Sequence, residues 1–153
     1  MPRIKIKIEY DGTNYVGWQS QRNGVSIQGE IEDSLRKIFN QEIKLYVAGR
    51  TDAGVHALNQ VAHFDIETLS IKTDKIFRAL NFFLKKNNNK ITILESKIVN
   101  KNFHSRFSVK KKHYLYKILN RNTQSFIHEN KVWFIPQKIN IKKMKDASDF
   151  FLG

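Results

Sequence analysis

At 153 residues, with 41% apolar content and eleven Phe, the chain suits one ordinary domain, or one domain and part of another, and is excluded from the disordered class. Zero Cys removes disulfide scaffolds and thiolate metal sites and fits a cytoplasmic protein, and no run approaches the roughly eighteen apolar residues of a membrane-spanning helix. Lys+Arg 27 against Asp+Glu 14 gives a net charge of +13, which points to a polyanionic partner, nucleic acid first.

The N-terminal "MPRIKIKIEY" sets Ile4, Ile6 and Ile8 against Lys5, Lys7 and Glu9, the period of a half-buried strand and not of a signal-peptide core. A Gly-containing loop, "DGTNYVGWQ", follows with Tyr15 and Trp18. Ser26 is the expected N-cap of a helix whose apolar face is Ile27, Ile31, Leu35, Ile38 and Phe39. "KLYVA" and "QVAHFDI" are predicted strands on either side of a Gly-rich loop. A second helix starts near Thr73, buries Ile76, Phe77, Leu80, Phe83 and Leu84, and stops at "KKNNNK"; "ITILESKIV" is the next strand.

The order β-α-β-β-α-β is that of a ferredoxin-like (RRM-like) α+β subdomain, placed at residues 1–100. Residues 101–153 are read as the start of a second, incomplete α/β subdomain. It holds a strand at "HYLYKIL", an extended "KVWFIP", and a helix from Asn140 with Ile141, Met144, Ala147 and Phe151 as its buried stripe. The strand is expected to lack partners, and the chain stops at Gly153 in mid-unit.

Two clusters carry chemistry. In "VAGRTDAGVHALNQVAHFD", Gly49 and Gly54 allow positive φ or close approach of a ligand, and the flanking strands hold the loop. Asp52 presented there can act as base or nucleophile, and Arg50, two residues earlier, supplies a cation that favours its ionised form. The plain alternative is an Asx-type turn with a solvated Arg. His56, His63, His104, His113 and His128 show no ligand spacing, so no metal site is expected, and the glycines fit no phosphate loop. The second cluster, "FHSRFSVKKKHYLYKI", interleaves Phe103, Phe107, Tyr114 and Tyr116 with Arg106, Lys110, Lys111, Lys112 and His113. Cations for phosphates beside rings for stacking suit unpaired RNA bases; the alternative is a basic exposed strand pair in a Lys-rich chain.

Taken in order, "EYDGTNYVGWQ", "SIQGEIEDSL", "AGRTDAGVHALNQVAHFD" and "FHSRFSVKKKHYLYKI" resemble the motifs of the tRNA pseudouridine synthase A family. The resemblance implies isomerisation of uridine to pseudouridine at positions 38, 39 and 40 of the tRNA anticodon arm. By it, Asp52 is the nucleophile, Arg50 its linked arginine with a part in base extrusion, and Tyr114 the contact to the target base. Arg106, Lys112 and His113 fall on the substrate-binding side. It further implies no metal or other cofactor, tRNA as partner and a homodimer in the full-length protein. "NFFLKKNNNKITI" departs from the family's usual Leu-Pro-type segment after the second helix, and "ASDFFLG" ends before the family's C-terminal segments. Two alternatives are carried: a non-catalytic RNA-binding module, and a hydrolase using Asp52 and His56, for which no second catalytic carboxylate is evident.

Overall fold

A computed structural model describes residues 1–22 and 24–152. The chain forms two compact units, Met1–Lys112 and a second that begins at His113.

In the first unit the elements are β1 (Arg3–Tyr10), α1 (Ile27–Phe39), β2 (Tyr46–Val47), β3 (Ala57–Asp65), α2 (Thr73–Lys86) and β4 (Ile91–Val99), with a 3-10 turn at Gly12–Asn14. The strands make one antiparallel sheet in the order β2-β3-β1-β4. Because strand side chains alternate, one face of β1 is Ile4, Ile6, Ile8 and Tyr10, all buried. Register places Ile4 beside Phe64, Ile6 beside Ala62, and Ile8 beside Ile93, so the apolar rows line up across strands. Ile27, Ile31 and Leu35 of α1 and Ile76, Leu80 and Leu84 of α2 complete this core, all fully buried. α1 starts where expected: the Ser26 hydroxyl accepts the Gly29 amide at 3.0 Å, and Asn40 ends the helix in the left-handed region.

The opposite sheet face carries Arg3, Lys5 and Lys7 on β1, next to Asp65, His63 and Val61 on β3. Ion pairs join Arg3 to Asp65 and Lys7 to Glu95, both at 2.8 Å. The Arg3 guanidinium holds the Asp65 carboxyl below the ordinary carboxylate range.

Of the two strands flanking the Gly-rich loop, one is shorter than its pattern and the other longer. "KLYVA" contributes only Tyr46 and Val47, because Leu45 and Ile43 turn into the core instead of continuing the ladder. β3 begins earlier than expected, at Ala57, directly after the Gly-rich loop.

The second unit holds β5 (Ile118–Asn120), β6 (Trp133–Ile135) and α3 (Ile141–Ser148), followed by a 3-10 turn at Asp149–Phe151. Of "HYLYKIL", only Ile118 and Leu119 enter β5. β5 does have a partner, contrary to expectation: it pairs in parallel with β6, Leu119 opposite Phe134. The stripe expected to be buried on the last helix is exposed, with Ile141 78% and Phe151 90% accessible. Two three-residue strands offer too little surface to cover even an eight-residue helix. Among the described residues, no helix is long and apolar enough to cross a membrane.

Candidate active site

The loop between β2 and β3 is fixed from both ends. At its start the Ala48 amide donates to the Val61 carbonyl at 2.8 Å, and the Gln60 Nε2 donates to the Gly49 carbonyl at 2.7 Å. Its middle leans on the loop after β1. The Trp18 amide donates to the Thr51 carbonyl at 2.9 Å, and the Thr51 and Tyr10 hydroxyls are 2.8 Å apart. Trp18 itself is buried, 6.0 Å centroid to centroid from Tyr10.

This apposition needs missing side chains. A β-carbon on Gly12 would stand 2.1 Å from the Val55 carbonyl oxygen, and one on Gly17, whose φ is +108°, would stand 2.7 Å from that of Thr51. The two loops touch backbone to backbone at both glycines.

Asp52 and Arg50 are both exposed on this loop. The Asp52 carbonyl accepts the Val55 amide at 3.3 Å, closing a turn through Gly54. Among the described residues, neither side chain joins a hydrogen bond or ion pair, so Arg50 and Asp52 are not bonded to each other in this structure. The loop therefore presents a carboxylate and a guanidinium with their bonding capacity available, on backbone that is firmly held.

His56 has a different job. Its Nδ1 accepts the Gly12 amide at 3.0 Å and lies 3.1 Å from Asp11 Oδ1. Bonds from the Thr13 hydroxyl and amide hold the Asp11 carboxyl below its ordinary range, with His56 nearby adding to the effect. The ring clips the far end of the loop to the Asp11–Gly12 corner.

The basic segment reaches the same loop along the β2 edge. Arg3 donates to the carbonyls of Lys101 at 2.6 Å and Phe103 at 2.8 Å. Ser105 is buried against His63 and Tyr46, and Arg106 next to it is exposed, its guanidinium 5.8 Å from the Phe107 ring. Further on, Lys112 Nζ comes within 3.2 Å of where a β-carbon on Gly49 would stand. The structure thus brings Lys112 to the residue beside Arg50. His113 and Tyr114 open the second unit, where both are exposed, Tyr114 to 78%. Among the described residues, no group of three or more His, Cys, Asp or Glu is placed to hold a metal ion.

The loop-to-loop contacts were not visible to sequence reasoning. Gly12, Gly17, Asp11 and Tyr10 all lie in "YDGTNYVGW", legible as a loop but silent about its partner. His63 gave no signal beyond an isolated His within an apolar strand.

Residues 6–108, more than half of the chain, match the profile of the tRNA pseudouridine synthase family. The chain belongs to that family. It is 42% identical over 153 residues to the tRNA pseudouridine synthase A of Anaplasma phagocytophilum (strain HZ), covering 99% of this chain and 61% of that protein. It is 45% identical over 152 residues to the namesake of Ehrlichia chaffeensis (strain Arkansas), covering 99% and 61%. It is 43% identical over 153 residues to that of Bartonella henselae (strain Houston 1), covering 100% and 62%. The chain spans about three fifths of the length of these curated relatives. The matched region of the pseudouridine synthase family takes in the Asp52 loop, the loop that braces it and the Ser105 turn.

Proposed function

We propose that the protein is a tRNA pseudouridine synthase acting on uridines 38, 39 and 40 of the anticodon arm, with Asp52 as its nucleophile. The observation that carries the reading is Asp52 itself: an exposed carboxylate without a side-chain partner among the described residues, on a loop clamped by β3 and by the loop after β1. A surface turn has no use for so many restraints, whereas a nucleophile does, since misplacement of a reacting group by about 1 Å can cost about a hundredfold in rate.

The reaction breaks the C1′–N1 bond, turns the uracil and joins C1′ to C5. The proton on C5 leaves and N1 gains one, so the atoms balance with no redox equivalent and no second substrate. The base must leave its stack to be reached. Asp52 adds to the sugar or the base, or removes a sugar proton. Arg50 beside it has no side-chain partner among the described residues and supplies a cation for the extruded nucleotide. Tyr114 stacks on the uracil, and Arg106, Lys112 and His113 meet phosphates. His56 is already engaged with Asp11 and Gly12, which speaks against a hydrolase that would use it as a base.

In this reading residues 1–100 are a ferredoxin-like subdomain bearing the Asp52 loop, and residues 101–153 open the second subdomain. The full-length enzyme is a cytoplasmic homodimer. The partition rests on element order; the Ser105 turn packs on the first unit.

Asp52→Asn tests the proposal. The complete protein should lose tritium release from C5-labelled uridine in tRNA while keeping its tRNA affinity within about twofold, because one carboxylate is a small part of a polyelectrolyte interface. Appreciable turnover by the variant would remove Asp52 from the role. Wild-type protein that binds tRNA without releasing tritium would favour the RNA-binding module.

A further inference from the structure

We propose that Ser105, seated on His63, is a positioning residue that fixes the Arg106 turn and the lysines after it along the β2 edge, and so presents the RNA-binding cations to the Asp52 loop. The inference rests on the reading of the protein as an RNA-modifying enzyme.

Residues 104–108 close on themselves. The Ser108 amide donates to the His104 carbonyl at 2.7 Å, and the His104 amide donates to the Ser108 hydroxyl at 3.0 Å. Within this turn Ser105 is 2% exposed, whereas Phe107 is 77% exposed and Arg106 lies open to solvent. One neighbour is a nail and the next two are the head.

The nail is well satisfied. The Ser105 hydroxyl donates to the Tyr46 carbonyl at 2.7 Å and lies 2.9 Å from His63 Nδ1, and that nitrogen accepts the Ser105 amide at 3.2 Å. His63 is 1% exposed, with the Tyr46 ring stacked on it at 5.1 Å and the His104 ring edge-on at 4.7 Å between centroids. Tyr46 is in the last strand before the Asp52 loop, so the hydroxyl joins the basic turn directly to the strand that launches that loop. From this anchor the chain runs to Lys112, whose ammonium lies against Gly49. The two ends of the segment therefore meet β2 and the loop beyond it in the same order as the chain runs.

A stripe of lysines on an untethered segment would lose side-chain and backbone entropy for each phosphate it met. Tethering at Ser105 removes part of that cost before RNA arrives. The role predicted is in substrate affinity and not in the chemical step.

Ser105→Val and Ser105→Thr are the informative pair, because they are nearly isosteric and differ by the hydroxyl. In the complete protein, Thr should stay within about twofold of wild type. Val should raise Kd and KM for tRNA about tenfold with kcat held, and should lower the log–log salt slope by about one, the value of one phosphate contact. The effect of Val should shrink in a Lys112→Ala background, since both changes remove the Lys112 contact. Equal Kd and salt slope for Val and Thr, whatever their thermal stability, would overturn the inference. So would effects of Ser105→Val and Lys112→Ala that simply multiply. Wild-type protein without salt-dependent tRNA binding would fail the RNA reading itself, and that result is separable because it appears before any variant is made.

Discussion

Lowering the pH from 7 to 5 should destabilise the protein through one residue, His63. Its ring is 1% exposed. Burial first, then the Arg3 cation and His104, lower its pKa from 6.5 to about 4, and Asp65 only partly offsets this. Above 6.5 neither state binds the proton. Between 6.5 and about 4 the unfolded chain takes it up and the native one does not, so stability falls as pH falls through that window and levels off for this group below it. The full gap corresponds to about 3 kcal/mol, of which about 2 kcal/mol is lost by pH 5. Asp65, Asp11 and Glu95, the last lowered to about 2, lose their contributions only at lower pH as they protonate. Urea unfolding at pH 7.5, 6 and 5, for wild type and His63→Gln, isolates the contribution because the carboxylates are common to both. The wild-type curve should drop by about 2 kcal/mol relative to the variant between pH 7.5 and 5. A difference that stays constant within about 0.5 kcal/mol would show that His63 is protonated in the folded state and the burial argument wrong.

Gly17→Ala should lower kcat for tritium release by about a hundredfold with tRNA affinity unchanged, since its β-carbon would push on the Thr51 carbonyl, one residue from Asp52, at a φ that alanine disfavours. Leu80→Ala, fully buried between α2 and the sheet, should cost about 2–5 kcal/mol in urea unfolding. Tyr114→Ala should weaken binding of the substrate by about 1–3 kcal/mol, read as KM, whereas Tyr114→Phe keeps the stacking face and should retain that affinity; equal losses in the two variants would remove stacking from its role.

The sequence carried the local elements because their causes are local. Ile4, Ile6 and Ile8 alternate, and Ile27, Ile31 and Leu35 recur at helical spacing behind a Ser26 cap, so β1 and α1 lie where these patterns put them. The "GRTDAG" loop and the basic aromatic segment stand out in the sequence by their ionisable and aromatic residues. Periodicity, however, reports that a face is apolar and not what covers it. Ile141, Met144 and Phe151 form the expected stripe, yet they are exposed. What only tertiary structure decided was which distant groups meet. Gly12 and Gly17 look like flexible loop glycines until the loop they brace stands 2.1 and 2.7 Å from their absent β-carbons. His63 looks like an odd residue in a strand until Ser105, forty-two positions later, closes over it. Such contacts depend on the sheet order β2-β3-β1-β4, which brings β1 and its following loop beside β3. No window of sequence contains both partners, so the braces of the Asp52 loop belong to the fold.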